Sequence, residues 1–365
     1  MMDNTTKQKI YEYLKEKVKL CSLLILTLIV FVAGCSPSVK TFYELPVEFR
    51  FPAEKTKFFQ TYSSYLKDKK IFLDPGHGGK DRNNIGYKGS AVEADANLKV
   101  ALALRMFILE AGGIVEMSRE KDTTVDLKDR SAIANRSGAD FFISIHHNAP
   151  PEKNDIWTNY TSTYYHAKES DYEFEPCQRD IAKYIQRDLA YAVRNSGGLG
   201  SFDGTYSDYN IYPKEGFSVL RLTKIPAVLV ECGFTTSEYE SGRLVIDEFN
   251  RVEAWGIFRG LCRYLANGIP EIRFIKTEQD DTNQNLEISF GIKDSAGVDI
   301  NSIKVFVDSI SYIPYNFNPK DKILSISYPV SNFGRHVIRI IAANIKGNYA
   351  FPFYYNIFVE KKLDR

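Results

Sequence analysis

The stretch Asp140-Phe-Phe-Ile-Ser-Ile145 constrains this chain most. Successive side chains of a strand point to opposite faces. A strand apolar at nearly every position therefore needs cover on both sides. Lys70-Ile-Phe-Leu-Asp74 and Ala227-Val-Leu-Val-Glu231, the latter behind Pro226, have the same character. Between them the apolar period changes. Val100, Ala101, Leu104, Phe107, Ile108 and Ala111 make one face of a helix predicted over 97–111, and Gly112-Gly113 ends it. Further strands are predicted at 114–118 and near 161–165, and further helices at 126–139, 177–194 and 244–267. Buried strands alternating with helices predict an α/β domain over residues 70–268, a mostly parallel twisted sheet with helices on both faces.

Near Pro270 the helices stop. Asn285–Asp294, Ser302–Ser309, Ile323–Pro329, His336–Asn344 and Phe351–Glu360 alternate as strands, with turn residues between them. Residues 269–365 are expected to form an all-β sandwich, in pattern similar to bacterial immunoglobulin-like modules. The break suggests a targeting or spacer module, so a chain ending near Gly268 is expected to fold. At the other end, Lys15, Lys17 and Lys19 precede an apolar run over 20–32, too short for a comfortable membrane span. Val32-Ala-Gly-Cys35 follows and resembles a bacterial lipoprotein signal. It implies removal of residues 1–34 and lipid on Cys35, hence export and a membrane-anchored place in the cell envelope, on its periplasmic or extracellular face. Residues 35–69 are read as a tether that turns aromatic and packs on the domain. Cys21 leaves with the signal. Cys177, Cys232 and Cys262 then remain, an odd set without a CxxC spacing and no disulfide framework. The net charge is +1 over 365 residues, which gives no electrostatic pull toward nucleic acid.

In open α/β sheets the working groups collect at the carboxyl ends of the strands. Here those ends carry chemistry. His77 follows the first strand in Asp74-Pro-Gly-His-Gly-Gly79. His146 and His147 follow the third. Glu231 ends the strand after Pro226, and Glu93 precedes the helix over 97–111. Each alone has an ordinary reading: a turn, strand-end packing, a solvated helix start. Glu231 is the exception, since a carboxylate ending a buried strand needs a partner. His, Glu and His are suitable zinc ligands, and a catalytic zinc keeps its fourth position for water. A phosphate cradle does not fit, because neither G-x-G-x-x-G nor G-K-[ST] is present.

Six ordered blocks carry a resemblance. They are Ile71–Gly79, Ile85–Ser90, Glu93–Leu98, Ser118–Asn135, Ala139–Ala149 and Val219–Phe234. Together they resemble the zinc-dependent N-acetylmuramoyl-L-alanine amidases that cut peptidoglycan, over residues 71 to about 267. The resemblance implies that His77, Glu93 and His146 bind zinc and that Glu231 is the catalytic acid/base. His147 falls on a variable position of the family pattern. Arg130 and Asn135 match family positions and are read as structural. Ala94, where the family often has Lys, and Met117-Ser-Arg119 are departures that remove no ligand. Residues 150–215 align poorly; the substrate groove is expected there, with His166 at a strand end.

The implied substrate is the amide between N-acetylmuramic acid and L-alanine of the stem peptide, cut by zinc-activated water. Two alternatives share the fold: an inactive peptidoglycan-binding lipoprotein, and a zinc peptidase acting within the stem peptide.

Overall fold

A computed structural model describes residues 5, 8, 12–19, 43–150, 154–195, 203–279, 284–308 and 313–360. Cys35 and the apolar run before it lie outside them. Among the described residues no helix is long and apolar enough to cross a membrane. Residues 1–42 form one unit and Tyr43–Arg365 a second. The second holds an α/β part and an all-β part.

The α/β part holds a six-stranded sheet in the order β2-β1-β3-β6-β4-β5. The strands are β1 (Lys70–Pro75), β2 (Ile114–Met117), β3 (Phe141–Asn148), β4 (Ser162–Tyr165), β5 (Thr205–Ser207) and β6 (Ala227–Phe234). The four strands β2, β1, β3 and β6 run parallel. β4 lies antiparallel to β6, and β5 parallel to β4, so the sheet is mixed. A parallel neighbour would need a crossover connection, usually helical. β4 instead starts beside Glu231, at the end of the sheet where β3 stops, and runs back.

The long helices are α1 (Pro52–Leu66), α2 (Glu93–Glu110), α3 (Leu127–Ser137), α4 (Pro176–Val193) and α5 (Asp247–Ala266). One face of the sheet, with Leu73, Ile143, Ile145, Val228 and Val230, packs on Val100 and Leu104 of α2, Ile185 and Leu189 of α4, and Trp255 and Phe258 of α5. The other, with Phe72, Phe142 and Leu229, packs on Ala134 of α3 and on Val219 and Leu220. This is why β3 and β6 are apolar throughout. Phe58 and Phe59 of α1 pack edge-on or tilted against Trp255 and Phe258, and Arg259 bridges Glu48 and Asp188. The aromatic segment after Tyr43 thus completes the helical layer. The α2 helix begins at Glu93, earlier than the apolar face implies. Its first turn holds Glu93 and Asp95, acidic residues that the helix dipole favours there.

Residues after Gly268 form two sheets around a second core. One has the order β10-β11-β8-β7, the other β13-β12-β9. β7 is Glu271–Gln279, β8 Asn285–Lys293, β9 Val298–Val307, β10 Asn316–Asn318, β11 Ile323–Pro329, β12 Gly334–Asn344 and β13 Phe353–Val359. This part docks on the α/β part at the amino ends of the parallel strands. The Phe351 ring meets Phe141, the first residue of β3, edge-on at 5.2 Å. Asn348 donates to the carbonyls of Tyr264 and Gly268 at 3.0 and 2.9 Å. The buried Arg339 donates to the carbonyls of Tyr172 and Phe174 and pairs with Glu175 at 3.2 Å. From Phe141 to His146 the strand rises roughly 17 Å, so this junction is at the opposite end of the sheet from the histidines.

Candidate metal centre

The centre is built on the loop that leaves β1. Gly76 N–H still donates to Ile145 O at 3.0 Å, extending the ladder to the loop's edge. His77 then adopts a left-handed backbone, φ 59°, unfavourable for a residue with a Cβ unless its surroundings impose it. Two buried arginines do so. Arg119 donates to Pro75 O at 2.9 Å, and to Gly76 O and Ala94 O at 2.8 Å. Arg130 donates to Pro75 O at 2.8 Å and His77 O at 2.9 Å while pairing with Asp74 at 2.7 Å. Burial, with Arg130 alongside, pulls Arg119 down to about 10. Gly76 has no room for a side chain. A Cβ there would sit 2.1 Å from the His146 ring, which lies on its backbone.

The side chains converge on one oxygen. Glu93 Oε1 lies 3.2 Å from His77 Nε2 and 3.1 Å from His146 Nδ1. Three such atoms, one from each residue, lie within 4.8 Å of one another. Ligands at ~2.0–2.1 Å from a tetrahedral zinc stand roughly 3.3 Å apart, so two imidazole nitrogens and a carboxylate oxygen at these spacings suit that ion. Two of the three are held from behind. His77 Nδ1 meets Asp81 Oδ2 at 2.8 Å. Glu93 Oε2 accepts from Asn84 Nδ2 at 2.5 Å, and Oε1 accepts from His147 N–H and Asn97 Nδ2.

The electrostatics follow. Burial opposes charge on Glu93, but His146 and His77 outweigh it and hold the carboxyl well below its ordinary range. Burial also opposes charge on His77; Glu93 and Asp81 reverse that and lift it to about 9. A bound cation would take the place of the imidazole protons.

Glu231 stands beside this group. In the β3–β6 register it pairs with His146, and residues 229 and 231 share a face as do 142 and 146. Its Oε2 is buried without a hydrogen-bond partner. Burial first, then the charge of Glu93, pushes its pKa well above the carboxylate norm. An orphaned, buried carboxyl next to a candidate metal centre is a group held for a proton or a ligand.

The structure therefore brings His77, Glu93, His146 and Glu231 to one end of the sheet. His147 is at the same end, but only its backbone N–H faces the group, and His166 is not there. His147 points to the other face, between Asn97 Oδ1 at 2.7 Å and Glu253 Oε1 at 3.0 Å. His166 follows the reversed β4, at the sheet's far end, against Asp208 at 2.9 Å. Asn135 ties α3 to the loop before β6 through Leu222 O and Lys224 N–H. Sequence reasoning missed Asp81, Asn84, Asn97 and Glu253. Asp81 had a signal, a carboxylate four residues beyond His77. Glu253 had none, being over a hundred residues from the histidine it meets.

Comparisons with known proteins bear on this site. Residues 71–263 match the N-acetylmuramoyl-L-alanine amidase family Amidase_3. The germination-specific N-acetylmuramoyl-L-alanine amidase of Bacillus subtilis (strain 168) is 31% identical over 233 residues, 60% of this chain and 89% of the relative. The N-acetylmuramoyl-L-alanine amidase LytC of the same organism is 30% identical over 213 residues, 58% of this chain but 39% of LytC. Among solved structures, an N-acetylmuramoyl-L-alanine amidase from Clostridium difficile 630 shares 31% identity, covering 55% of this chain and 98% of that one, with a TM-score of 0.47. The family match takes in more than half of the sequence and every residue of this centre: the chain belongs to the N-acetylmuramoyl-L-alanine amidase family.

Proposed function

We propose that this protein hydrolyses the amide between the lactyl group of N-acetylmuramic acid and L-alanine of the peptidoglycan stem, with His77, Glu93 and His146 as zinc ligands and Glu231 as the acid/base. The observation that carries this reading is the convergence of three donor atoms on one point beside an orphaned buried carboxyl. Zinc held there would polarise the amide carbonyl and acidify a water. The chain's own residues do the rest. Asp81 aims His77, and Asn84 and Asn97 fix Glu93. Glu231 accepts the proton of the attacking water as its oxygen adds to the amide carbon. It returns that proton to the leaving nitrogen as the C–N bond breaks. A carboxyl whose pKa is raised by burial suits a group that must both take and give a proton near neutrality. No covalent intermediate is required. Cys232 beside Glu231 sits in the core on the opposite face, its thiol pushed well up by burial.

The same reading places the protein in the bacterial envelope, anchored by lipid on Cys35. Two acyl chains, at about 0.8 kcal/mol per buried CH₂, would hold it firmly. A Cys35→Ser chain would then leave the membrane fraction or fail to mature; unchanged lipid labelling would sink this part. We read the C-terminal sheets as an immunoglobulin-like sandwich that serves the intact wall rather than the reaction.

The test is mass spectrometry of peptidoglycan digests beside a zinc determination. A freed L-alanine amino terminus with zinc bound supports the reading. An internal stem-peptide cut, or zinc binding without cleavage, replaces it with a peptidase or a wall-binding protein.

A further inference from the structure

The side of β3 facing away from the reaction holds a buried polar chain of which the proposed chemistry uses only the last member, Asn97. Glu253 of α5 meets His147 Nε2 at 3.0 Å, with both side chains fully buried. Asn250 donates to the other Glu253 oxygen at 3.1 Å. On the far side of the ring, His147 Nδ1 meets Asn97 Oδ1 at 2.7 Å. Asn97 Nδ2 then reaches Gly76 O and Glu93 Oε1, each at 3.2 Å.

The donors and acceptors fix the direction of this chain. Gly76 O and the Glu93 carboxylate can only accept, so the Asn97 amide must turn its nitrogen toward them. Its oxygen then faces His147, and Nδ1 must be the donor. A proton also lies between Nε2 and Glu253, whichever atom carries it. Every link from His147 Nδ1 to Glu93 is thereby determined, and the chain ends on the carboxylate oxygen that both site histidines approach. His147 reaches the same oxygen a second time through its backbone N–H, at 3.1 Å.

Such a chain is a poor device for stability alone. A buried ion pair can often be exchanged for apolar residues of similar volume at no loss. The surroundings are apolar: Ile143, Ile145 and Val230 line this face of the sheet, and Trp255 and Val252 lie on α5 beside Glu253. What an apolar filling would not do is hold Glu93. A carboxylate free to rotate about its last bond presents either oxygen in many orientations, and groups behind a ligand are what fix it.

We propose that Glu253, His147 and Asn97 form a positioning chain, running through the core from α5, that locks the Glu93 carboxylate for metal binding. This rests on the zinc reading of the site. Cys232 Sγ lies near the same atoms, within 4.8 Å of His147 and Glu253 donors. A metal held by these three donors is the competing reading, and the zinc stoichiometry separates the two.

The test uses the full-length chain and zinc itself. Zinc affinity is measured by chelator competition for wild type, Asn97→Ala, His147→Ala, Glu253→Ala, Glu253→Gln and the double variant His147→Ala/Glu253→Ala. The denaturation midpoint of each metal-free protein is measured alongside. Removing a group behind a metal ligand typically weakens binding about 10–100-fold, and that is expected for the three single alanine variants. Glu253→Gln keeps an acceptor for Nε2–H and should recover most of the loss. The double variant should be no weaker than His147→Ala, because the chain is already broken. Co²⁺ in place of zinc should show altered d–d bands in the alanine variants and near-normal ones in Glu253→Gln. If His147→Ala does not fold, the Glu253→Ala and Glu253→Gln pair decides. Variants that are destabilised yet bind zinc within about twofold of wild type overturn the chain. So does a wild type that binds two zinc ions and loses one on removal of Glu253. A wild type that binds no zinc defeats the reading of the site itself, a different failure.

Discussion

The two ends of the central sheet are built from the same strands and finished in opposite ways. At the carboxyl ends polar side chains crowd together: a half-buried His77 in a left-handed backbone, a buried Glu93 oxygen shared by two histidines, and Glu231 with a buried oxygen that bonds to nothing. At the amino ends the same strands are closed over. Phe351 covers Phe141, Asn344 and Asn348 take the last carbonyls of α5 and its cap, and the Tyr349 N–H satisfies Asp180. One end gathers polar side chains around a single carboxylate oxygen; the other is packed over by side chains from a separate part of the chain, with Tyr264 Oη and Arg339 Nε left without partners inside it. A sheet buried on both faces tolerates this because its apolar middle fixes both ends at once.

The contrast is broken most severely by Glu231→Gln. The amide keeps the shape and cannot take a proton. Hydrolysis of soluble wall fragments should fall by roughly 10²–10⁴ or more, while zinc content stays at the wild-type level. His77→Ala, Glu93→Ala and His146→Ala should lose zinc and activity together. Near-normal turnover in Glu231→Gln would remove it from the reaction. Gly76→Ala is the subtler form. It leaves every candidate ligand in place but puts a Cβ where the His146 ring lies, 2.1 Å from its Cε1. Zinc content and activity should fall in a protein that still folds. Normal zinc binding there would mean that the His146 ring has freedom this packing denies it.

The sequence made these ends unequally legible. Strands apolar on both faces had to be a covered sheet, and the residues ending them were local facts, so His77, the pair His146-His147 and Glu231 stood out by position, while the choice of His146 over His147 rested on the family resemblance. Glu93 could be read from the block it sits in, though the helix begins at Glu93 itself. The reversal of β4 could not, since a strand of four residues, Ser-Thr-Tyr-Tyr, carries no mark of direction. Nor could the amino end. Pro270 marks a change of pattern, and a change of pattern reads as a spacer. What it conceals is that Arg339, Asn344 and Asn348, on β12 and just after it, return to the first domain over separations of more than 70 residues. The expectation that a chain ending near Gly268 folds must now meet that junction: such a chain leaves Phe141 uncovered and Glu175 without Arg339.

Arg339→Met tests whether that closed end is purely structural. Arg339 is 3% exposed and serves two carbonyls and Glu175. Removing one partner of a buried pair leaves the other uncompensated, at a cost of about 3–5 kcal/mol. Urea denaturation should show that loss, with zinc content unchanged and hydrolysis of soluble fragments per folded molecule within about twofold of wild type. A tenfold fall in turnover in folded protein would mean the two ends are coupled.

Asp180→Asn sharpens the same point with a smaller effect of opposite sign. Asp180 is 7% exposed and accepts the Tyr349 N–H at 2.9 Å. Burial pushes its pKa up to about 6, against the pull of that N–H and of Arg179 and Lys183. The unfolded carboxyl titrates near 3.9. Between those values the folded chain holds a proton that the unfolded chain has lost, so stability falls as pH rises from about 4 to about 6 and stays lower above it. Asparagine keeps the acceptor for Tyr349 and carries no charge to bury. At pH 7–8 the variant should therefore be more stable than wild type by on the order of 2–3 kcal/mol, and the difference should vanish near pH 4. Urea denaturation across that range reads it directly. A gain that does not change with pH would assign the effect to something other than the buried charge. A loss at pH 8 would mean that the ionised carboxylate is part of the closure, and that the amino end, like the carboxyl end, depends on a charge.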